Sequence, residues 1–228
     1  MQVWNFLVSD CAKTEDYRKM LYHVFPVCAN ESLSGINKGI TMEQYSKLLT
    51  QLKNLLEQRP FLIIGIDGRC ASGKTTLSNW IAENLPARIF HMDDFYLPME
   101  QRVKDWKHIP CANMNFERML EEVLRPAQRG EVVQYRAYSC REKKLLPAVE
   151  LEPRPLNIVE GSYSHYPYLF PFYDVSVFLT CSKETQTERL IRREGDRYPN
   201  YEKLWIPLEE EYYRKYHVGE QADYRITT

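Results

Sequence analysis

No excess of positive charge marks this chain: 30 Lys and Arg residues stand against 31 Asp and Glu, for a net charge of -1. Proteins that hold nucleic acid or anionic membranes are usually basic, so neither partner is expected beyond what a local patch could bind. Long apolar runs are also missing. Phe61-Leu62-Ile63-Ile64-Gly65-Ile66, the longest near the middle, falls far short of the ~20 residues that span a bilayer. The opening residues Met1-Gln2-Val3-Trp4-Asn5 lack the basic stretch and apolar core of a secretion signal. Six cysteines (Cys11, Cys28, Cys70, Cys111, Cys140, Cys181) form no Cys-x-x-Cys pair and no cluster with histidine. Neither a zinc site nor a redox motif is indicated, and a reduced, cytoplasmic setting is expected. What is present is ordinary for a globular protein: 44% hydrophobic and 27% charged residues over 228 positions. A chain of that size buries about 70% of its unfolded surface and needs neither disulfide nor metal to hold a core.

Residues 1–40 mix aromatic and polar residues without a clear period, as in short helices or loops. From Thr41 the period is helical: Thr41 and Gln44 have capping-box spacing, and Tyr45, Leu48, Leu49, Leu52, Leu55 and Leu56 share one face. This helix should end before Pro60. Residues 1–59 are therefore expected to form a helical extension and residues 60–228 the main domain. Beyond Pro60, strand and helix signals alternate. Strands are expected at Phe61–Ile66, Arg88–Met92, Leu156–Val159, Val175–Leu179 and Ala222–Thr227, and helices at Thr75–Leu85, Asn115–Arg129, Ser182–Arg193 and Tyr201–Tyr216. Val132–Tyr138 and Lys143–Leu151 can pair as a hairpin outside the main sheet. Strands separated by helices imply an α/β fold, a parallel sheet with helices on both faces.

The first strand runs into Gly68-Arg69-Cys70-Ala71-Ser72-Gly73-Lys74-Thr75, a match to G-x-x-x-x-G-K-[ST] followed by Thr76 and a helix. A loop that wraps its backbone N–H groups around phosphate needs glycine where a Cβ would collide or φ must be positive. The helix start adds unpaired N–H groups and the positive end of its dipole. In such loops the lysine, here Lys74, reaches the β- and γ-phosphates, and the hydroxyl of Thr75 joins the Mg²⁺ shell. The Asn-Lys-x-Asp of GTP-dependent switches is absent downstream. The strand-end carboxylate that motor ATPases supply as Asp would here be Glu160, from Glu160-Gly161.

Two clusters add chemistry. Asp93 and Asp94, in His91-Met92-Asp93-Asp94-Phe95-Tyr96, follow a short strand at the carboxyl edge where open α/β sheets bind ligands. There a carboxylate can take the proton of an acceptor hydroxyl, although an Asp pair alone also suits a turn or cap. Arg189, Arg192 and Arg193 can share a helical face, with Arg197 beyond. Over a phosphoryl group they would neutralise developing charge; alone they would be a solvated surface.

Taken together, these residues resemble the uridine kinase branch of the P-loop kinases, relatives of nicotinamide riboside kinase, phosphoribulokinase and type I pantothenate kinase. The likeness covers about residues 60–226. It rests on the loop at 65–76, Met92-Asp93-Asp94-Phe95-Tyr96, Asn115-Phe116-Glu117-Arg118 and Tyr135-Arg136-Ala137-Tyr138. It continues through Ile158-Val159-Glu160-Gly161-Ser162-Tyr163-Ser164, Arg189-Leu190-Ile191-Arg192-Arg193 and Trp205-Ile206-Pro207-Leu208-Glu209. The resemblance implies a P-loop NTPase fold with a five-strand parallel core of order 2-3-1-4-5, small hairpin and lid insertions, and ATP with Mg²⁺. Transfer would be of the γ-phosphate to a primary hydroxyl of a small molecule, with the 5′-hydroxyl of uridine or cytidine as the acceptor expected first. Asp93 would be the acceptor base, Lys74, Arg189 and Arg193 the catalytic cations, and Thr75 and Glu160 the metal side. Residues 68–76 would bind ATP, and Asp93, Tyr96, Arg136 and Tyr138 the acceptor. The family's His-Pro-Asp run stands here as His108-Ile109-Pro110-Cys111-Ala112-Asn113, and its Tyr-Asp as Tyr138-Ser139. A kinase for nicotinamide riboside or pantothenate, and an ATP-binding regulatory protein without transferase activity, remain open alternatives.

Overall fold

The computed structural model describes residues 38–228. The short helices or loops expected at the start lie outside the described residues up to residue 37. Five parallel strands form the central sheet: β1 (Leu62–Gly68), β2 (Ala87–His91), β7 (Leu156–Glu160), β8 (Val175–Thr180) and β9 (Tyr224–Thr227). Their spatial order is β2-β7-β1-β8-β9, the order 2-3-1-4-5 when core strands alone are numbered. Register is continuous across the centre, with Leu62 opposite Leu156, Ile66 opposite Glu160 and Ile64 opposite Val175.

Alternation along β1 divides the core into two layers. Leu62, Ile64 and Ile66 join Leu77, Ile81, Leu156, Ile158, Val175, Val177 and Leu179 on one face. Helices α1 (Lys38–Gln58) and α2 (Lys74–Asn84) cover this face, with Tyr45, Leu48 and Leu52 of α1 fully buried there. Ile63 turns to the opposite layer with Phe90, Val159, Phe178, Met119, Val123, Tyr212 and Tyr213. Burial on both faces accounts for strands that read as unbroken apolar runs instead of alternating ones.

Several boundaries differ from the sequence reading, each for a physical reason. Helix α1 begins at Lys38, so Thr41 lies inside it; a capping-box spacing permits a start without requiring one. The expected helix Asn115–Arg129 is capped by the Asn115 side chain, which accepts from Arg118 N–H. It then widens into a π turn at Leu120–Leu124, where Arg125 N–H bonds Leu120 C=O. The expected helix at Tyr201–Tyr216 likewise opens with a π turn, Tyr201–Trp205, in which Ile206 N–H bonds Tyr201 C=O, before α5 (Ile206–Tyr216). In both places a proline follows, Pro126 and Pro207. A proline has no N–H, and its ring crowds the carbonyl four residues back, so the preceding turn opens. We label the segment 116–129 α3 and Lys183–Glu194 α4. The expected hairpin forms as two nested antiparallel ribbons, β3 (Val133–Tyr135) with β6 (Val149–Leu151), and β4 (Tyr138–Ser139) with β5 (Lys144–Leu145). Pro147 interrupts the ladder between them, since it cannot donate.

Among the described residues no helix is long and apolar enough to cross a membrane. They include no group of three or more His, Cys, Asp or Glu side chains arranged to hold a metal ion.

Candidate active site

β1 ends on Gly68 at φ +141°, where an added Cβ would stand 2.0 Å from the Leu179 carbonyl oxygen. No other residue fits, because the obstruction is backbone of the neighbouring strand. The loop then turns through Ala71 at φ 59° and Gly73 at φ 94°, and Gly73 leads into α2. Lys74 lies back over the loop, its Nζ donating to the carbonyls of Gly68 at 2.6 Å and Arg69 at 3.0 Å. Ser72 is fully buried, and its carbonyl accepts from Thr228 Oγ1.

Glu160 closes β7 in register with His91, the last residue of β2. Its Oε1 lies 2.6 Å from His91 Nδ1, and Thr75 Oγ1 is 3.3 and 3.4 Å from the two carboxylate oxygens. Burial works to raise Glu160, but His91, Lys74 and Thr75 outweigh it and hold the carboxyl below its ordinary range. Burial works in turn to lower His91, but Glu160 and the two aspartates drive it up to about 9. The side chains form a charged pair. A hydroxyl and a carboxylate converging beside a phosphate loop are the hard oxygen donors Mg²⁺ takes, alongside phosphate and water.

The Met92–Phe95 turn after β2 separates the two aspartates. Asp93 is exposed at the end of β2 and accepts from Tyr96 OH at 3.0 Å. Desolvation by the surrounding protein and the nearby charge of Glu160 push its carboxyl up, against the pull of Tyr96, Lys74 and His91. Asp94 is taken up by the hydroxyl of buried Tyr135. One aspartate is therefore exposed at the strand end while its neighbour ties the turn to β3.

Of the other expected residues, Arg189 reaches the loop, donating to Ala71 C=O at 3.1 Å and to Thr228 Oγ1 at 2.8 Å. Arg193 pairs with Glu194 at 2.9 Å and stands 5.8 Å from the centre of the Tyr201 ring, in the π turn before α5. Tyr138 is buried in β4, which runs against the Met92–Phe95 turn. Arg136 is held by Glu122 of α3, and no described hydrogen bond or ion pair joins it to Asp93.

Three features were not read from the sequence. His91 pairs with Glu160 only because β2 and β7 are adjacent and in register. Arg69, inside the loop, is gripped by both oxygens of Glu210 at 2.5 and 2.9 Å. Glu209, beside it on α5, accepts from the Cys70 N–H at 3.0 Å and from Ser162 Oγ at 2.5 Å. In the sequence Glu209 is only the last residue of the Trp205–Glu209 match, and its partners Cys70 and Ser162 lie far from it along the chain.

A parallel sheet of this order, with a phosphate loop after its central strand and carboxylates at two neighbouring strand ends, defines a P-loop kinase. The family model described as Phosphoribulokinase / Uridine kinase family matches residues 63–198, and the chain belongs to that family. It is 30% identical over 146 residues to a uridine kinase of Chloroflexus aurantiacus, covering 58% of this chain and 68% of that one. It is 28% identical over 149 residues to uridine-cytidine kinase B of Dictyostelium discoideum, covering 60% and 59%. In fold it is similar to a possible uridine kinase of Bacillus stearothermophilus, with a TM-score of 0.57, 21% identity and coverage of 79% and 99%. It is also similar in fold to a candidate fructose transport system kinase of Silicibacter, with a TM-score of 0.61, 20% identity and coverage of 78% and 98%. The chain is a phosphotransferase acting on a hydroxyl group.

Proposed function

We propose that the chain phosphorylates a primary hydroxyl of a nucleoside, the 5′-hydroxyl of uridine or cytidine, using ATP and Mg²⁺. The observation that carries this reading is Asp93, an exposed carboxylate at the carboxyl end of β2, within reach of the charges of Lys74 and Glu160 and distinct from the engaged Asp94. Residues 60–228 are the kinase domain in this reading, and α1 braces it.

The loop N–H groups and the start of α2 hold the triphosphate. Lys74 exchanges its loop carbonyls for phosphate oxygens. Thr75 and Glu160 would hold Mg²⁺, which would supply charge neutralisation at the phosphates. Asp93 accepts the hydroxyl proton as the acceptor oxygen bonds to the γ-phosphorus, and the bond to the β–γ bridging oxygen breaks to release ADP. Its raised proton affinity, closer to neutrality than that of a free carboxylate, suits the role. Arg193 would meet charge on the transferring group, while Arg189, tied to Ala71 C=O and Thr228, would hold the loop in place for it.

Incubating the chain with ATP, Mg²⁺ and a panel of uridine, cytidine, nicotinamide riboside and pantothenate tests the reading. Mass spectrometry should show a gain of one phosphoryl group on uridine or cytidine. Gain only on another acceptor would overturn the nucleoside assignment, and no ADP release with any would favour a binding protein. Panel breadth matters because 108–113 and Ser139 depart from the family pattern next to the acceptor. On the metal side, Glu160→Gln should raise the Mg²⁺ concentration for half-maximal rate about tenfold, since an amide is a poorer partner for a hard cation. A magnesium titration of the initial rate decides this, and an unchanged midpoint would remove Glu160 from the metal shell.

A further inference from the structure

Arg69 is the second residue of the phosphate loop, and its charge would suit a phosphate oxygen. The structure commits it elsewhere. Its N–H donates to Leu179 C=O of β8 at 3.1 Å, and its C=O accepts from Ser72 N–H at 3.1 Å and from Lys74 Nζ at 3.0 Å. All three guanidinium nitrogens are engaged as well. Nε and Nη2 donate to the two oxygens of Glu210 at 2.5 and 2.9 Å, and Nη1 donates to Thr180 Oγ1 at the end of β8. An arginine fork on a carboxylate is a two-bond contact that fixes orientation as well as distance. Arg69 thus joins β8, the far side of the loop, the resting lysine and α5.

Glu210 belongs to a stretch that meets other parts of the site. The ring of Tyr201, in the π turn before α5, stands 5.8 Å from the Arg193 guanidinium. Trp205 of the same turn lies 6.1 Å from Trp106, ring centre to ring centre. The Arg102 guanidinium is 4.8 Å from the Trp106 ring and 5.6 Å from the ring of Tyr96, whose hydroxyl bonds Asp93. Residues 201–210 therefore touch the loop, the arginines of α4 and the segment that follows Asp93. The Arg69–Glu210 pair fixes the loop to that stretch.

We propose that Arg69 and Glu210 are positioning residues: their pair locks the phosphate loop to α5 and fixes a carbonyl on which Lys74 rests, while the guanidinium itself takes no phosphate oxygen. A loop already held in shape loses less freedom when the triphosphate binds, so the lock strengthens binding. The opposite role would be a cation parked on Glu210 and released to phosphate. The two differ in sign. Losing Glu210 weakens nucleotide binding if the pair is a lock, and strengthens it if Glu210 competes with phosphate for Arg69. This rests on the reading of the chain as an ATP-dependent kinase.

Calorimetric titration of the full chain with ATP and Mg²⁺ decides between them. Glu210→Gln should weaken binding about fivefold, the scale of a partly exposed ion pair. Removing a negative charge near phosphate would by itself act the other way, so the sign is diagnostic. Arg69→Lys keeps the charge but loses the fork, and it should weaken binding nearly as much as Arg69→Gln. Glu210→Gln combined with Arg69→Gln should cost no more than Arg69→Gln alone, because the same pair is lost. Thermal unfolding midpoints show that each variant is folded; if Glu210→Gln is not, the comparison of Arg69→Lys with Arg69→Gln carries the test. Tighter or unchanged binding in Glu210→Gln, native binding in Arg69→Lys, or additive losses would overturn the proposal. If the native chain binds no ATP at all, the kinase reading fails, whereas native binding with any of those outcomes removes the lock alone.

Discussion

Asp93→Asn should lower turnover by roughly 10²–10⁴, the usual worth of a positioned general base. The substitution preserves shape and the contact with Tyr96, but an amide cannot take the hydroxyl proton. Affinity for ATP with Mg²⁺ should barely change, because in the proposed reading Asp93 serves the acceptor and not the nucleotide. Asp94→Asn is the internal comparison. Its carboxylate accepts from Tyr135, so its loss should loosen the Met92–Phe95 turn and lower stability more than it lowers turnover. Initial rates measured against acceptor, ATP and Mg²⁺ in both variants separate the roles. A larger rate loss in Asp94→Asn, or an Asp93→Asn defect relieved by added Mg²⁺, would reverse the assignment.

Arg193→Ala carries the other large expectation. An arginine over a transferring phosphoryl group is worth up to about 10³–10⁵ in rate. A loss of at least tenfold in turnover, with a smaller change in ATP affinity, marks a residue that acts mainly on the transition state. The structure places Arg193 on the last turn of α4, against Glu194 and Tyr201, where the π turn before α5 begins. Closing that segment over the loop would carry the guanidinium toward Cys70, whose thiol already feels its charge. Arg189→Ala should behave differently. Its guanidinium is tied to Ala71 C=O and Thr228, so truncation should raise the KM for ATP as the loop loses a brace. Steady-state kinetics on the two variants distinguish these effects, and full turnover in Arg193→Ala would return the cluster to a solvated helix face.

What could be read without the fold was whatever the chain encodes within about ten residues. The run Phe61–Ile66, the glycines and lysine of the loop, and the apolar faces of α1 and α2 all announce themselves through local spacing, and the structure places them as expected. The strand order came from family resemblance, since nothing local says that β1 lies between β7 and β8. Helix interruptions at 120–124 and 201–205 escaped notice because apolar periodicity continues through a π turn, although Pro126 and Pro207 were visible signals. The ties around the site were hidden for a different reason. His91 meets Glu160 through strand register, Asp94 meets Tyr135 across a ribbon, and Arg69 meets Glu210 across 141 positions. Each partner looks like an unremarkable polar residue until tertiary structure brings the two together.

The position of β1 at the centre of the sheet also bears on how the chain is made. Leu62 pairs with Leu156, about 94 positions later (156 minus 62). Synthesis at ~5–20 residues per second therefore leaves the strand unpaired for roughly 5–20 s. Phe61–Ile66 is uncharged, β-branched and free of proline, the composition of a segment that sticks to copies of itself. Helix α1 emerges before β1 and is joined to it only by residues 59–61. Its buried Tyr45, Leu48 and Leu52 occupy the face of the sheet to which Leu62, Ile64 and Ile66 turn. On the ribosome, this amphipathic helix can shelter half of the nascent strand before any other strand of the central sheet exists. The segment preceding the kinase core would then guard its most aggregation-prone stretch during translation.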